Sequence, residues 1–372
     1  IIIIGSGIAG LTFANILKNQ SDFEYKIYER ESSLNLNEGY GIQLSVNSVS
    51  VLNKLGFDKL NSSEKFHPSK LDFFNIKNNK IYDLDLQDFN NEKNQYTTLK
   101  RSNLIKFLRE ELFSNSIKFG KKISKIEKID SKINILFEDN STDMADYLIV
   151  SDGVFSNSKS IIEKKEIKPK YYGAIAIRAT LNAEEVCFNP KNISLIMGSN
   201  AHIVVYPVNN QKEMNLVCVV RKKTKKDESI KSILEKNIFK ENSSLANLFK
   251  GELKSWPIYT SEKPKKSKYK NVFYIGDAFY TFPPTMAQGA SQSIESANEL
   301  FNLINENKEN IQDRYFKIRL KRTNQVKTRS ELNFFVFHLS NPLLIYLRNL
   351  MIKIILKNKI FKESYLGKIF RK

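Results

Sequence analysis

The ten residues Ile1-Ile2-Ile3-Ile4-Gly5-Ser6-Gly7-Ile8-Ala9-Gly10 decide the reading of this chain. Four consecutive isoleucines suit a strand buried on both faces, as in a parallel sheet, rather than the alternation of a half-solvated strand. The glycines that follow have the spacing GxGxxG. The first permits a tight turn, the second lets backbone N–H groups approach a pyrophosphate, and the third lets the next helix pack closely on the strand. Residues 11–18 read as that helix, with Leu11, Ala14 and Leu17 on one apolar face, and residues 25–28 read as the next strand. Glu29 stands at its end, 19 residues after Gly10. A carboxylate there accepts hydrogen bonds from both hydroxyls of an adenosine ribose and disfavours a 2′-phosphate. The unit is the expected opening of a Rossmann-type nucleotide-binding domain; a glycine turn used only for packing is the plainer alternative. Because Ile1 already lies in the strand, a few native residues are expected before it.

Outward from this unit, residues 121–129 and 132–138 alternate apolar with polar positions around Asp130 and Ser131, which predicts a hairpin. Residues 147–150 form another buried strand, ending at Asp152 and Gly153. The middle of the chain changes character. Short β-rich runs at 173–180, 193–197, 202–206 and 215–220 are separated by turn-like stretches and predict an antiparallel sheet. Residues 222–270 are polar and basic, with a helix expected over 228–239, before 272–275 return to a buried strand. A good helix follows at 290–304, with Ile294, Ala297, Phe301 and Ile304 on one stripe. The last 50 residues look helical and basic. The expected class is α/β. A Rossmann-like nucleotide-binding domain (1–75, 96–165 and 266–318) carries an inserted antiparallel-sheet substrate domain (76–95 and 166–265), and a C-terminal helical segment (319–372) follows.

A second constellation lies far from the first, at Ile275-Gly276-Asp277-Ala278 and on to Pro283-Pro284-Thr285-Met286-Ala287-Gln288-Gly289-Ala290, directly before the good helix. Asp277 at a strand end can bind ribityl or phosphate-linked hydroxyls of a cofactor lying across the sheet, and the helix start offers N–H groups to a developing anion. For a flavin the useful target is the N1 and C2 carbonyl edge. That edge becomes negative on reduction, and stabilising it favours hydride acceptance. A nicotinamide dinucleotide site needs no such distant second half. Alone, an aspartate after a buried strand is often only a turn residue; the N-terminal motif gives this one its weight.

Together these stretches resemble the flavoprotein aromatic hydroxylases, a family of FAD-dependent monooxygenases, and in particular the salicylate hydroxylase-like branch. GSGIAGLTFANIL (5–17) is similar to the family's first FAD fingerprint, VSDGVFSNSK (150–159) to its Asp-Gly motif, and GDAFYTFPPTMAQGASQSIESA (276–297) to its Gly-Asp motif. Weaker likenesses are GYGIQLSVNSVSVLNKLG from Gly39, KRSNLIKFL around Arg101, HIVVYPV from His202 and SWPIY from Ser255. The likeness covers roughly residues 1–330. It implies that Gly5, Gly7, Gly10 and Glu29 hold the ADP half of FAD, that Arg30, Gln43 and Arg101 approach the cofactor, and that Gly276 and Asp277 bind its ribityl and pyrophosphate region. Asp152 would support both FAD and NAD(P)H. Pro284 would lie near the substrate side of the isoalloxazine, and Gly289 and Ala290 would offer it backbone N–H groups. Arg178, Tyr206 and Pro207 resemble sheet-domain positions facing flavin and substrate, although an inward Tyr or Arg is equally well structural.

The activity implied by the resemblance is hydroxylation of a small aromatic substrate with NAD(P)H and dioxygen, through a flavin hydroperoxide. The alternative is an FAD-dependent reductase or dehydrogenase of the same fold without oxygen transfer. A flavin halogenase is disfavoured, because Trp256 is the only tryptophan. Three departures bear on the pocket. Phe279 and Tyr280 replace a small residue and a histidine, Lys159 stands where an arginine is usual, and Glu295 is followed by Ser296 where a second acid is common.

Composition narrows the remaining classes. Cys187 and Cys218 form no paired metal-ligand spacing, and His67, His202 and His338 are scattered, so no metal is expected. The net charge of +19 draws anionic partners. No zinc-finger spacing or clustered aromatic and basic repeat points to nucleic acid. With no leader and no apolar run long enough to span a bilayer, a cytoplasmic location is expected. The basic C-terminal stretch from Pro342 reads either as an amphipathic helix making peripheral contact with an anionic membrane or as a helix packed on the enzyme's body.

Overall fold

The computed structural model describes residues 1–34, 36, 40–113, 115–224, 228–306 and 309–371; Gly39, which opens one of the weaker motif likenesses, lies outside them. The isoleucine run forms an inner strand, Ile2–Ile4, of a five-stranded sheet. Leu148–Val150 and then Val272–Tyr274 lie on one side of it, Lys26–Tyr28 and then Ile117–Lys118 on the other, all parallel. Ile2, Ile3 and Ile4 are buried, as a strand between two neighbours in a covered sheet must be. Helix Ile8–Gln20 packs alongside helices Gly289–Asn305 and Arg101–Glu110. It starts three residues before the expected Leu11, because the turn is so tight that the third glycine of the motif is already helical.

The predicted hairpin is present as Ile123–Ile129 and Lys132–Phe137, turning through Asp130 in the left-handed region (φ 52°) and extended by Thr142–Ala145 into a three-stranded sheet. It meets the parallel sheet where the rings of Phe137 and Tyr28 approach to 4.5 Å.

The β-rich middle builds one seven-stranded sheet, in the order Lys254–Thr260, Lys170–Asn182, Glu213–Arg221, Ala201–Val208, Ile193–Met197, Lys70–Asn75, Lys80–Asp85. Its pairings are antiparallel except that of Ile193–Met197 with Lys70–Asn75, which is parallel. Lys70–Asn75, a stretch the sequence reading grouped with the nucleotide-binding part, is thus hydrogen bonded within this second sheet. It arrives from outside the middle segment, so no tight turn ties its direction to its neighbour's.

Alternation along the strands gives the large sheet two different faces. Ile177, Leu216, Cys218, Val205 and Ile203 point to a dry core completed by Ile233, Leu234, Ile238, Leu245 and Leu248. The helix expected over 228–239 is there as Ile230–Leu234 running into a π-helical turn, Glu235–Phe239. The other face of the sheet roofs a cavity. The C-terminal segment is helical as expected: Ile311–Phe337, then Pro342–Lys357, then short helical turns to Phe370.

Candidate active site

Every strand of the five-stranded sheet ends on the same edge, so residues just past the strand ends fall into a row. In spatial order these are Asp277, Asp152, Gly5 and Glu29. The outer two strands of this set are three strand spacings apart, about 14 Å. A cavity of about 410 Å³ along the row is lined by Gly5, Gly7, Glu29, Arg30, Asp152 and Gly153, among others.

The glycines have separate reasons to be there. Gly5 has φ +95°, and a Cβ on it would lie 2.7 Å from the Ser151 carbonyl oxygen. A Cβ on Gly10 would be 2.1 Å from the Gly5 oxygen, so the helix could not approach the turn. Gly7 differs, since a Cβ there would meet nothing within 4 Å and would project into open space. Gly7 also caps helix Ile8–Gln20 with no side-chain hydrogen bond, leaving the first-turn N–H groups available to an anion.

Glu29 is half-buried and already engaged. Its Oε2 accepts from the Ser6 N–H at 2.8 Å and the Ser6 hydroxyl at 2.7 Å, and its Oε1 accepts from the Glu31 N–H at 3.0 Å. A carboxylate offers about four acceptor directions, so one remains toward the groove. Arg30 is exposed and paired with Glu31 at 3.1 Å. Asp152 accepts the Ser158 N–H through Oδ2 at 3.2 Å, while its buried Oδ1 has no partner. Burial pushes this carboxyl above its usual range, Ser156 and Ser158 opposing. Lys159, in place of the usual arginine, sits 5.3 Å over the Tyr274 ring. Burial lowers its pKa, with Asp152 and Glu163 opposing.

The distant motif meets the first one directly. Gly276, at φ +56°, lies so close to helix Ile8–Gln20 that a Cβ would be 2.8 Å from that of Ala9. Its N–H donates to Ser296 Oγ at 3.0 Å, so the serine that replaces a second acid anchors the turn. Asp277 follows, open to solvent yet surrounded by protein on most sides. Desolvation pushes its carboxyl up to about 6, while the nearby Arg101 guanidinium pulls it down. Phe279 and Tyr280 do not line the cavity. Both are buried, and Phe279 packs on Tyr315 and Phe316 of the long helix.

Beyond Asp277 the chain passes Pro284 and re-enters a helix at Gly289, beside a second cavity of about 630 Å³. Its walls bring together Gln43, Arg178, Tyr206, Pro284, Gly289 and Ala290. The roof is one face of the seven-stranded sheet, where Arg178, Val217, Val204, Leu195 and Phe73 are direct cross-strand neighbours. Arg178 lies over the rings of Tyr40 (5.7 Å) and Trp256 (5.9 Å). Tyr206 is buried, and burial raises its phenol pKa, with Arg178 opposing. The hydroxyl therefore stays protonated at neutral pH. Pro207 does not line the cavity; its carbonyl accepts from the Thr98 hydroxyl at 2.6 Å.

Among the cavity's residues, Tyr96 carried no signal in the sequence, while Gly41 and His202 fell within the weaker likenesses without an assigned role. Tyr96 donates to Gln43 Oε1 at 2.8 Å and lines the same cavity. Gly41 is pressed between Asn215 and Tyr206, where a Cβ would be 2.7 and 2.8 Å from their atoms. His202, in the roof, contacts His338 at the end of the long helix, Nδ1 to Nε2, at 2.7 Å. Burial drives His202 down to about 3 and His338 to about 2, so the pair is neutral and one ring donates to the other. The far wall comes from the C-terminal helices, including Leu344, Leu347, Arg348 and Met351. Among the described residues no cluster of His, Cys, Asp and Glu is placed to hold a metal ion.

The chain is similar to known proteins in sequence and in fold. Among curated relatives, a 3-amino-4-hydroxybenzoate 2-monooxygenase of Streptomyces cremeus is 23% identical over 91% of this chain and 88% of its own. A 6-hydroxynicotinate 3-monooxygenase of Pseudomonas fluorescens is 24% identical over 82% of each. In fold, the chain superposes on Klebsiella pneumoniae HpxO complexed with FAD and uric acid, with a TM-score of 0.86 at 17% identity, covering 99% of this chain and 96% of that one. A salicylate hydroxylase substrate complex gives 0.77 at 18% identity, covering 98% and 97%. The family model described as "FAD binding domain" matches residues 1–330. The chain therefore belongs to the FAD binding domain family, among the FAD-dependent aromatic monooxygenases.

Proposed function

We propose that this protein is an FAD-dependent monooxygenase that uses NAD(P)H and dioxygen to hydroxylate an aromatic substrate held beneath the seven-stranded sheet. The observation that carries the reading is the row of strand ends Glu29, Gly5, Asp152 and Asp277 on one edge of the sheet, with a cavity along the first three and, past Asp277, the Gly289 helix N-terminus beside the apolar cavity. The orphaned Oδ1 of Asp152 and the open space over Gly7 fit a long, doubly phosphorylated cofactor. When bound, FAD supplies the redox chemistry: it accepts hydride from NAD(P)H and activates dioxygen.

Each residue then has a task. The remaining acceptor direction on Glu29 takes an adenosine ribose hydroxyl. The N–H groups after Gly7 face the pyrophosphate, with Gly5 and Gly10 shaping the turn and Arg30 at its rim. Asp277 and Arg101 hold the ribityl and phosphate region, and Asp152 takes a donor into its buried oxygen. Gln43, fixed by Tyr96, and the N–H groups of Gly289 and Ala290 orient the isoalloxazine, the latter stabilising negative charge on its edge. Pro284 borders the substrate. The neutral Tyr206 hydroxyl donates a hydrogen bond into the cavity, and Arg178 supplies a fixed positive charge. The apolar sheet face and C-terminal helices exclude water. No conventional acid or base is required of the chain.

The test is oxidation of NAD(P)H by FAD-loaded protein with candidate phenols under oxygen-18 gas. Label in the hydroxylated product is the expected result. Substrate-dependent NAD(P)H oxidation giving a product with no oxygen from the gas would instead favour the reductase or dehydrogenase reading.

A further inference from the structure

Helix Pro342–Lys357 presents a face unlike the rest of the surface. Of the sixteen exposed large apolar side chains among the described residues, eight lie between Leu343 and Ile360. Leu343 and Tyr346 are each 66% exposed, and Ile360 82%. The helix is fastened from the other side by buried Arg348 and Leu356, so this exposure belongs to a docked helix, not to a frayed end. Charge along this segment of sequence has one sign. From Asn341 to Lys362 it holds Arg348, Lys353, Lys357, Lys359 and Lys362 and no acidic residue, within a chain of net charge +19. Arg348 is buried and Lys362 is paired with Asp88, which leaves Lys353, Lys357 and Lys359 as the exposed cations beside the apolar side chains.

An apolar ridge edged by lysines matches the two demands of an anionic bilayer: burial of side chains at the acyl boundary and attraction to the headgroups. A second copy of this chain would bring the same positive rim against itself. The helix is 16 residues long, about 24 Å, shorter than the roughly 30 Å of hydrocarbon, so it can lie in the interface but not cross it. Among the described residues no helix is long and apolar enough to cross a membrane. Leu344, Leu347 and Met351 belong both to this exposed ridge and to the wall of the larger cavity, so the cavity opens within the patch.

We propose that this face docks on an anionic lipid surface, with helix Pro342–Lys357 lying in the headgroup layer. Docking sets the cavity mouth on the membrane, so the substrate is an apolar aromatic molecule taken from the lipid phase. The docking stands independently; the statement about substrate rests on the function proposed above.

The test compares sedimentation of FAD-loaded protein with vesicles of phosphatidylcholine alone and with phosphatidylglycerol added. The triple variant Leu343→Ser/Leu350→Ser/Ile354→Ser alters only exposed positions outside the cavity wall. Binding is expected to be at least about tenfold stronger with phosphatidylglycerol and to fall by about tenfold in the variant. Flavin absorbance and unfolding midpoint should not change. Wild-type protein left in the supernatant, or a variant that binds as well as wild type, overturns docking by this face. A dimer that the variant converts to monomer, without vesicle binding, assigns the face to a second copy instead. The substrate half is read by NAD(P)H oxidation with a long-chain alkylphenol in the vesicles and a short phenol in buffer. The variant should lose turnover of the first and keep the second. Equal turnover of the vesicle-borne phenol by both proteins overturns the lipid-phase route, whereas no response to any phenol, with vesicle binding intact, sinks the function and leaves the docking.

Discussion

Gly7 and Gly10 belong to one motif but should respond to substitution in opposite ways. With nothing near its Cβ position and an ordinary negative φ, Gly7→Ala should fold normally, the added methyl standing where the proposed cofactor's pyrophosphate would approach. The expected outcome is an unfolding free energy within about 0.5 kcal/mol of wild type and an FAD affinity at least about tenfold weaker, read by denaturant unfolding and flavin titration. Gly10→Ala places a methyl against the Gly5 carbonyl and should destabilise the cofactor-free fold by about 1–3 kcal/mol. Asp277 gives a test by pH. Its folded-state carboxyl is raised to about 6 from the ordinary 3.8, so the folded state binds a proton more readily than the unfolded chain. Stability contributed by this group is therefore lost as pH rises from about 4 to about 6 and is flat above. Asp277→Asn, without cofactor, should gain stability relative to wild type across that window; an unchanged difference from pH 4 to 7 would contradict the assignment. At this scale the sequence was legible where backbone geometry demanded glycine or where an acid ended a strand. It was silent on Tyr96 and assigned Gly41 no role, since the importance of both arises only from side chains that tertiary packing delivers.

Helix Gly289–Asn305 is held to the long helix by a buried charged network. Glu295 accepts from Arg319 (2.9 Å) and from Arg322 (2.7 and 2.9 Å), and Asn47 donates to it at 2.6 Å. Burial alone would raise the Glu295 carboxyl, but Arg319 and Arg322 outweigh it and hold it below the usual range. Glu295→Gln would take a carboxylate from two buried guanidinium groups, of which Arg319 keeps Glu299 at 3.0 Å. It should cost about 3–5 kcal/mol in denaturant unfolding, because breaking one side of a buried pair leaves charge uncompensated. The His202–His338 contact joins the far end of the same long helix to the sheet. Both rings are neutral when folded and take up protons when unfolded near pH 6.5. Stability from each is complete above that value and falls by up to about 1.4 kcal/mol per pH unit below it. His202→Phe/His338→Phe should flatten the stability profile between pH 6 and 4; a profile as steep as wild type would show that other groups drive the acid limb. Strands and helices were the most legible feature of the chain, since periodicity is a local property: Ile193–Met197 was read to the residue. The parallel pairing of Lys70–Asn75 was not, because pairing direction depends on where a distant segment enters the sheet.

Across the whole molecule, two segments some 270 residues apart in sequence become one surface, with Gly276 packed on Ala9 and four strand ends in a row. That convergence could be inferred from sequence because a parallel sheet must put its strand ends on one edge, and each motif announced its own strand. The closing wall of the larger cavity could not. It is supplied by helices after Ile311, whose apolar residues read equally well as core, surface ridge or cavity lining. If the two segments hold one cofactor jointly, a flavin titration of cofactor-depleted protein reports it. Wild type should bind one FAD per chain, with binding weakened by at least about tenfold in both Gly7→Ala and Asp277→Asn. A folded wild-type chain that takes up no FAD, or FAD affinity unmoved by a change in either segment, would contradict it.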